Sequence, residues 1–363
     1  MESPYLTNAS DFWAETEKNS VLLNPRLAGA PELSVSLEAA ANAAGLRGHV
    51  VFATSGTTGS PKFACLSRTA LLASAKAVNE HLQASGSDHW FCALPSFHVG
   101  GTGIWARAYA SSTPVTALHG KWDSLSFVDQ VTTAAATLTA LVPTQMHDLV
   151  VGGHQCPDSL RAVLVGGGAL VADLRHRAED LGWPILETFG MTEAASQIAT
   201  EQLRQRSTKV PGQLAVLPFW KVRLSAGRIL EISGDALFSG YLENLHENTG
   251  FTYRSPLSPD GWFTTSDHVE LANRGTRLIP KSRADSIVKI LGENVDTKAV
   301  ERALRALEID VVIVAMPDRR TGSRLVAVID SQAAHLVKNF EDGVAAYNRT
   351  VAPPERVNRL AIV

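Results

Sequence analysis

The sequence predicts an α/β fold, in which buried strands are layered against helices. Short apolar runs, at residues 138–142, 162–165 and 184–186, alternate with longer amphipathic stretches. One such stretch, residues 169–181, carries apolar side chains at helical spacing with polar residues on its other face. The runs are typical of buried strands, and the amphipathic stretch is typical of a helix that packs on them.

The composition favours a globular protein that acts on small molecules. The 363 residues suffice for two or three domains, and 45% hydrophobic with 19% charged residues is ordinary for such proteins. Lys and Arg are scattered, and the formal net charge is −3, which argues against nucleic-acid and acidic-membrane partners. We therefore expect small-molecule partners, no nucleic acid and no membrane, and leave a homo-oligomer open.

The cysteines and the N-terminal segment favour a cytoplasmic location. Cys65, Cys92 and Cys156 are odd in number and lack metal-ligand spacing, so we expect reduced thiols that only pack. The N-terminal residues lack a basic start followed by an apolar stretch. No run approaches the length of about 18 apolar residues that a membrane-spanning helix needs.

A loop rich in glycine and hydroxyl groups follows a predicted strand at residues 49–53. Glycines permit positive φ, so that successive amide groups can converge on an anion, and hydroxyls and an ammonium add donors. A helical pattern covers residues 67–82, which predicts the order strand, anion loop, helix. The loop consists of Thr54, Ser55, Gly56, Thr57, Thr58, Gly59, Ser60, Pro61 and Lys62.

Two further segments also follow predicted strands. Residues 187–193 contain Phe189, whose ring can stack on a purine, and the pair Thr192 and Glu193, which can bind phosphate and a hard cation. Residues 166–168 are all glycine, which lets a flat ligand lie against the backbone. These segments suggest a nucleotide site.

The loop at residues 54–62 resembles the signature of the adenylate-forming acyl-CoA ligase superfamily, Thr-Ser-Gly-Thr-Thr-Gly-x-Pro-Lys-Gly. Only the last position differs, because the chain has Phe63 there. It is not a Walker A loop, since the glycine spacing is different. The resemblance implies that this loop, with Lys62, holds the triphosphate of ATP.

Residues 187–193 resemble the superfamily motif Tyr-Gly-x-Thr-Glu, with Phe189 in place of tyrosine. The resemblance implies that Phe189 stacks on adenine, that Thr192 contacts the α-phosphate and that Glu193 holds Mg²⁺. Gly190 belongs to the same cofactor-binding motif, where a glycine lets a carbonyl or phosphate approach the backbone. The resemblance also implies that Gly166, Gly167 and Gly168 line the pocket for adenine and the acyl group.

Residues 261–267 resemble a superfamily element whose aspartate, here Asp267, accepts hydrogen bonds from the ribose hydroxyls. Residues 282–292 resemble the hinge motif, with Ser282 in place of glycine; Arg283 would reach the ribose, and Asp285 would be the hinge. His98 falls at the position that forms a wall between the acyl tunnel and the thiol entry, so we assign it a gating and shaping role.

Residues 97–107, 141–145 and 164–168 resemble a branch of the superfamily, the o-succinylbenzoate–CoA ligases of menaquinone biosynthesis. Arg107 matches an arginine that this branch uses on a substrate carboxylate. A guanidinium fork suits a dicarboxylic acid, because one carboxylate reacts while the other is held. An ordinary surface arginine is the alternative.

The resemblance divides the chain into an N-terminal AMP-binding domain, residues 1–282, and a C-terminal lid, residues 283–363. A β-rich subdomain begins near residue 227, and the lid pattern predicts strands at 286–290, 311–315 and 325–329 and a helix at 297–307. The sequence ends before the usual Gly-Lys motif of the lid, so we expect a shortened lid. This leaves open a truncated sequence, a substitute cation such as Lys62 or Lys289, or slow adenylation.

The implied activity is that of an AMP-forming acid–thiol ligase that uses ATP, Mg²⁺ and coenzyme A. The acid would first form an acyl-adenylate, and the thiol of coenzyme A would then form the thioester. Two alternatives stay open, a ligase for another aromatic or aliphatic acid, and a nucleotide or acyl-adenylate binding protein that does not adenylate.

Overall fold

The computed structural model describes residues 9–25, 31–54, 62–203, 213–244, 250–283, 287–307, 309, 311–329 and 337–362. These residues form both helices and strands, with alternating helices and strands mainly before residue 190, and the predicted α/β class is confirmed. Within these ranges no helix is both long and apolar enough to cross a membrane. The three cysteines are free thiols, two of them buried.

The helices α1 to α9 span Ala9–Ala14, Pro31–Ala43, Arg68–Leu82, Val99–Ser111, Ser124–Ala134, Pro143–Val151, Ala172–Asp180, Thr297–Arg305 and Val337–Thr350. The strands β1 to β21 span Ser20–Leu22, His49–Thr54, Lys62–Ser67, Trp90–Cys92, Val115–Ala117, Leu138–Leu141, Ala162–Val165, Ile185–Phe189, Ala199–Thr200, Leu214–Val216, Lys221–Leu224, Ile229–Ser233, Gly240–Glu243, Thr252–Arg254, Phe263–Ala272, Arg277–Arg283, Ile287–Ile290, Glu293–Asp296, Val312–Asp318, Gly322–Ile329 and Val357–Ile362.

The largest sheet joins a parallel part to an antiparallel part. Its strand order is β11-β12-β15-β16-β10-β9-β8-β7-β6-β4-β5. Strands β5, β4, β6, β7 and β8 are parallel, and β8 pairs with β9 in the antiparallel sense. The four residues of β6 and of β7 are all buried, as expected for parallel strands covered on both faces.

A second sheet has the order β1-β2-β3-β13-β14. Strands β2 and β3 form an antiparallel hairpin in which Thr54 lies opposite Lys62. The predicted order of strand, anion loop and helix is therefore wrong, because β3 stands between the loop and α3. The helix begins only after Ser67, whose hydroxyl accepts a hydrogen bond from the backbone N–H of Ala70 at 3.0 Å and so caps its N-terminus.

The strands and helices predicted from residues 138–142, 162–165 and 184–186 correspond to β6, β7 and β8, and residues 67–82 correspond to α3. The helix predicted at residues 169–181 is shorter, because α7 begins at Ala172. The glycines at 166–168 consequently do not lead directly into a helix N-terminus.

The C-terminal part contains the hairpin β17–β18 and the sheet β19-β20-β21, against which α8 and α9 pack. It contacts the remainder of the chain at α6, where the guanidinium of Arg320 donates to both carboxylate oxygens of Asp148 at 3.0 and 3.3 Å. Strand β16 reaches Arg283 within the large sheet, and β17 begins at Ile287. The division at residues 282 and 283 stays a prediction.

Candidate active site

Four loops lie at one edge of the large sheet. They follow β4, β6, β7 and β8, which are parallel, so their carboxyl ends share that edge. In open α/β sheets this edge is where ligands bind. The loops contain the candidate residues His98, Gly166 to Gly168, and Phe189 to Glu193.

The glycine string at 166–168 packs closely against its neighbours. A Cβ on Gly166 would lie 2.8 Å from Thr188 Cγ2, so a larger residue would push the β7 loop away from β8. Gly167 has a φ of +79°, and a Cβ there would lie 3.3 Å from Val142 Cγ1. A Cβ on Gly168 would meet Pro143 at 3.5 Å. The string thus forms a bare backbone surface between the loops after β6 and β8.

The loop after β8 turns sharply at Gly190. Phe189 is the last residue of β8, and Thr192 and Glu193 belong to a short 3-10 helix, Thr192–Ala194. The loop then folds back so tightly that a Cβ on Gly190 would lie 1.5 Å from the carbonyl oxygen of Ser196. Ser196 itself has a φ of +102°, a strained value for a residue other than glycine.

We predict that Gly190→Ala disrupts this loop. The methyl group cannot occupy a position 1.5 Å from a backbone oxygen, so residues 190–197 must shift. A large loss of stability, on the order of 2–4 kcal/mol, should appear in chemical denaturation. Gly86→Ala is the matched control, because nothing lies within 4 Å of its Cβ position. Equal stability of the two variants would contradict the geometry.

Lys62 lies where the candidate phosphate loop rejoins the sheet. The hydroxyl of Thr54 donates to the carbonyl oxygen of Lys62 at 3.2 Å, so the two ends of the loop are held together. The ammonium of Lys62 lies 2.9 Å from the Oε1 atom of Glu243. Ser55, Gly56, Thr57, Thr58 and Gly59 lie outside the described residues.

Tyr241 and Glu243 join the candidate residues Lys62 and Glu193, and reasoning from the sequence missed both. The hydroxyl of Tyr241 donates to Glu193 Oε1 at 2.7 Å. The ammonium of Lys62 lies 5.4 Å from the centre of the Tyr241 ring. A strand pattern at residues 240–243 was the available signal, but only the pairing with β3 brings its side chains to Lys62.

The Mg²⁺ that the sequence resemblance implies fits the chemistry of Glu193. One carboxylate oxygen accepts from Tyr241, and in the described part of the chain no hydrogen bond occupies the other. Among those same residues no group of three or more His, Cys, Asp or Glu side chains could hold a metal ion alone. Mg²⁺ is commonly held by one or two carboxylates together with substrate phosphates, so the carboxylate of Glu193 is a fitting donor.

Arg107 is a buried cation, and no carboxylate pairs with it among the described residues. Its side chain is 1% exposed, and burial lowers its pKa to about 10, so it stays charged at neutral pH. Its Nη2 atom donates to the hydroxyl of Ser196 at 3.4 Å, while Nε and Nη1 have no partner among the described residues. The surface position considered as the alternative is therefore wrong. Unpaired buried charge is costly, which is typical of a group that awaits an anionic ligand.

His98 precedes α4 and touches the Phe97 ring, with 4.6 Å between ring centres. Its side chain is exposed at this edge of the sheet. The gating and shaping role of His98 stays a prediction.

Asp267 and Arg283 lie directly opposite each other on β15 and β16. Asp267 is buried, and its backbone N–H donates to the hydroxyl of Thr265 at 3.0 Å. In the large sheet, strands β16, β10 and β9 lie between β15, which carries Asp267, and β8, which carries Phe189. The predicted hinge residue Asp285 lies outside the described residues.

The hairpin β17–β18 approaches the same edge of the sheet. A Cβ on Gly292, in the turn between β17 and β18, would lie 3.2 Å from Val142 Cγ1. Val142 therefore stands between Gly167 and Gly292. This contact brings the turn of the hairpin beside the glycine string. Val142 belongs to the string at residues 141–145, but the sequence did not predict its contact with Gly292.

The family model described as "AMP-binding enzyme" matches residues 31–242, which is more than half of the chain. Curated relatives include the 2-succinylbenzoate–CoA ligase of Escherichia coli, 30% identical over 317 residues, which cover 84% of this chain and 65% of the relative. The enzyme of the same name from Enterococcus faecalis is 26% identical over 323 residues, which cover 84% of this chain and 64% of the relative.

Solved structures are similar as well. A malonyl-CoA ligase in complex with methylmalonyl-CoA and AMP gives a TM-score of 0.70 at 26% identity, covering 86% of this chain and 70% of that one. The o-succinylbenzoate CoA synthetase of Bacillus subtilis, a double mutant bound with a product analogue, gives a TM-score of 0.72 at 21% identity. The match covers 86% of this chain and 65% of that one. This last likeness concerns the fold.

The chain spans about two thirds of the length of the curated relatives that it matches, 65% and 64% for the two ligases above. The family match extends from α2 to β13 and so includes the glycine string, the loop after β8 and Arg107. The chain therefore belongs to the AMP-binding enzyme family.

Proposed function

We propose that the chain is an ATP-dependent carboxylate–CoA ligase that forms AMP, and that its acid is o-succinylbenzoate. Two curated relatives are named 2-succinylbenzoate–CoA ligase, which supports this acid. In the proposed reaction, a carboxylate oxygen attacks the α-phosphorus of ATP and pyrophosphate leaves. The thiol sulfur of coenzyme A then attacks the acyl carbon, AMP leaves, and the thiol proton passes to solvent.

One observation carries this proposal. The buried guanidinium of Arg107 donates to Ser196, and Ser196 closes the loop that begins at Phe189 and contains Thr192 and Glu193. A buried cation that no carboxylate pairs with in the described part of the chain thus borders the loop assigned to nucleotide binding. A dicarboxylic acid could place its distal carboxylate on Arg107 while its other carboxylate reacts beside Thr192.

Each predicted residue receives a role in this reaction. Lys62 and residues 54–59 would bind the phosphates, Thr192 the α-phosphate, and Glu193 would hold Mg²⁺, which when bound neutralises phosphate charge. Phe189, Gly190, Gly167 and Gly168 would contact adenine, and Asp267 and Arg283 the ribose. Gly166, His98 and Arg107 would border the acid.

The proposed domains follow the same scheme. Residues 1–282 would bind nucleotide and acid, and residues 283–363 would form the lid that turns at Asp285 between the two steps. The contacts between Gly292 and Val142 and between Arg320 and Asp148 support a lid that can dock beside the glycine string. The location we propose is the cytoplasm.

The test is a panel of acids presented to the full-length protein. AMP release should require ATP, Mg²⁺, acid and coenzyme A together, and o-succinylbenzoate should be preferred over benzoate at least about 30-fold in kcat/KM, as expected for a buried charge pair. Malonate tests whether any dicarboxylic acid is accepted as the substrate. Pyrophosphate exchange reports the first step separately.

A preference for a monocarboxylic acid would contradict the proposed acid but not the reaction. Nucleotide binding without pyrophosphate exchange for any acid would instead favour a binding protein that does not adenylate.

A further inference from the structure

Four side chains form a continuous row on one face of the sheet that contains β3 and β13. Glu243 lies opposite Lys62 in the antiparallel register, and Tyr241 lies two residues before Glu243 on the same face. Glu193 reaches this face from the neighbouring 3-10 helix. The order along the row is Glu243, Lys62, Tyr241 and Glu193, and we call it the charged row.

Glu243 holds the ammonium of Lys62 at one end of the charged row. The two atoms are 2.9 Å apart, and the side chain of Glu243 is only 8% exposed. A carboxylate this buried depends on its partner for compensation. An ammonium has three donors, so Lys62 can keep this ion pair and still donate to a phosphate.

Tyr241 holds Glu193 at the other end. Its hydroxyl donates to Glu193 Oε1 at 2.7 Å, and the backbone N–H of Phe238 donates to the carbonyl oxygen of Glu193 at 2.9 Å. The Tyr241 ring also packs edge-on against the Phe238 ring, with 4.7 Å between their centres. The carboxylate of Glu193 is therefore fixed both through its side chain and through its backbone.

The side chain of Tyr241 lies close to two opposite charges. The ammonium of Lys62 lies 5.4 Å from the centre of the Tyr241 ring, and the carboxylate of Glu193 accepts a hydrogen bond from its hydroxyl at 2.7 Å. If either holding contact were lost, the opposite charges of Lys62 and Glu193 would attract each other. An ion pair between them would occupy both groups that the proposed function assigns to Mg²⁺ and phosphate.

We propose that Tyr241 and Glu243 are positioning residues that keep Lys62 and Glu193 apart, so that the ammonium and the carboxylate are both available to a Mg²⁺–triphosphate. This inference rests on the proposed function, because it takes the binding of ATP from there. It adds two residues, Tyr241 and Glu243, that lie outside the motifs named in the sequence analysis.

The test measures how nucleotide binding depends on Mg²⁺ and needs no turnover. A non-hydrolysable ATP analogue is titrated by calorimetry into the full-length protein at a series of Mg²⁺ concentrations. Tyr241→Phe should raise the Mg²⁺ concentration for half-maximal binding enhancement about 10-fold, the size typical when a residue that orients a metal ligand is lost. Glu243→Gln should raise it by a similar factor, because the released Lys62 competes for Glu193.

Tyr253→Phe is the matched control. Tyr253 lies on β14 of the same sheet, and its hydroxyl donates to the carbonyl oxygen of Ser239 at 2.7 Å rather than to Glu193. The Tyr253→Phe variant loses a hydrogen bond of the same length as Tyr241→Phe does, but this bond involves neither Glu193 nor Lys62. Its Mg²⁺ dependence should therefore match that of the wild type. A thermal melt of each variant verifies that it folds. If Tyr241→Phe does not fold, the Mg²⁺ dependence of Glu243→Gln alone tests the positioning role.

The outcomes distinguish failure of the positioning role from failure of the proposed function. A wild-type protein that binds no ATP analogue overturns the proposed function itself. A wild type that binds it, with the same Mg²⁺ dependence in Glu243→Gln and in folded Tyr241→Phe, overturns the positioning role alone. An equal shift in Tyr253→Phe would likewise overturn it, because the effect would then be general to the sheet.

Discussion

Arg107→Met is expected to stabilise the protein and to remove its preference for a dicarboxylic acid. The guanidinium is buried and charged, and its Nε and Nη1 atoms lack partners among the described residues, so folding bears its desolvation cost. A methionine of similar volume avoids this cost, which predicts a gain of about 1–4 kcal/mol. Loss of the charge pair with the substrate should raise the KM for o-succinylbenzoate at least about 30-fold.

Thermal melts without substrate and kinetics with o-succinylbenzoate and benzoate measure both effects. Arg68→Met is the matched control, since Arg68 is also buried but donates to the carbonyl oxygen of Lys18 and to the hydroxyl of Ser20. That variant should lose stability and keep the acid preference. If Arg107→Met were destabilised like the control and kept its preference, Arg107 would be a structural residue.

Lys62→Met is expected to impair ATP use strongly and to destabilise the protein. Loss of the cation beside the phosphate loop should lower kcat/KM for ATP about 100- to 1,000-fold, as for other groups that stabilise developing charge. The substitution also leaves the buried carboxylate of Glu243 unpaired. A loss of about 3 kcal/mol is expected, at the low end for a broken buried pair because the Lys62 side chain is 24% exposed.

The double variant Lys62→Met, Glu243→Gln separates these two effects. Removing both charges should restore most of the stability, because a neutral amide tolerates burial better than an unpaired carboxylate. It should not restore ATP use. Recovery of pyrophosphate exchange in the double variant would show that Lys62 matters only as the partner of Glu243.

The sequence predicts much of the fold because buried strands and helix faces require apolar residues at characteristic positions along the chain. The apolar runs of β6, β7 and β8 are short and bounded by turns, and α3 carries a clear helical stripe. Strand β3 was missed although residues 63–66 form a buried apolar run like those of β6 and β7, because this run follows directly on the loop motif at residues 54–62 and was attributed to the exit of that loop. Its identity depends on pairing with β2 and β13, which a local pattern does not encode.

The candidate site also contains some residues that local sequence predicts and others that it does not. Phe189, Glu193 and Lys62 belong to short motifs, and Arg107 to a longer string, so local sequence is enough to suggest them. Their partners Ser196, Tyr241 and Glu243 are ordinary residue types in no motif. Only the tight return of the loop at Gly190 and the register of β3 with β13 bring these partners into contact.

The most direct test of the account is the binding of a non-hydrolysable o-succinylbenzoyl-adenylate analogue, measured by calorimetry on the full-length protein and on Arg107→Met. A second analogue carries a methyl ester in place of the distal carboxylate. We predict that the substitution weakens binding of the free acid at least about 30-fold and leaves binding of the ester unchanged. Equal losses for acid and ester, or no binding of either by the wild type, would contradict it.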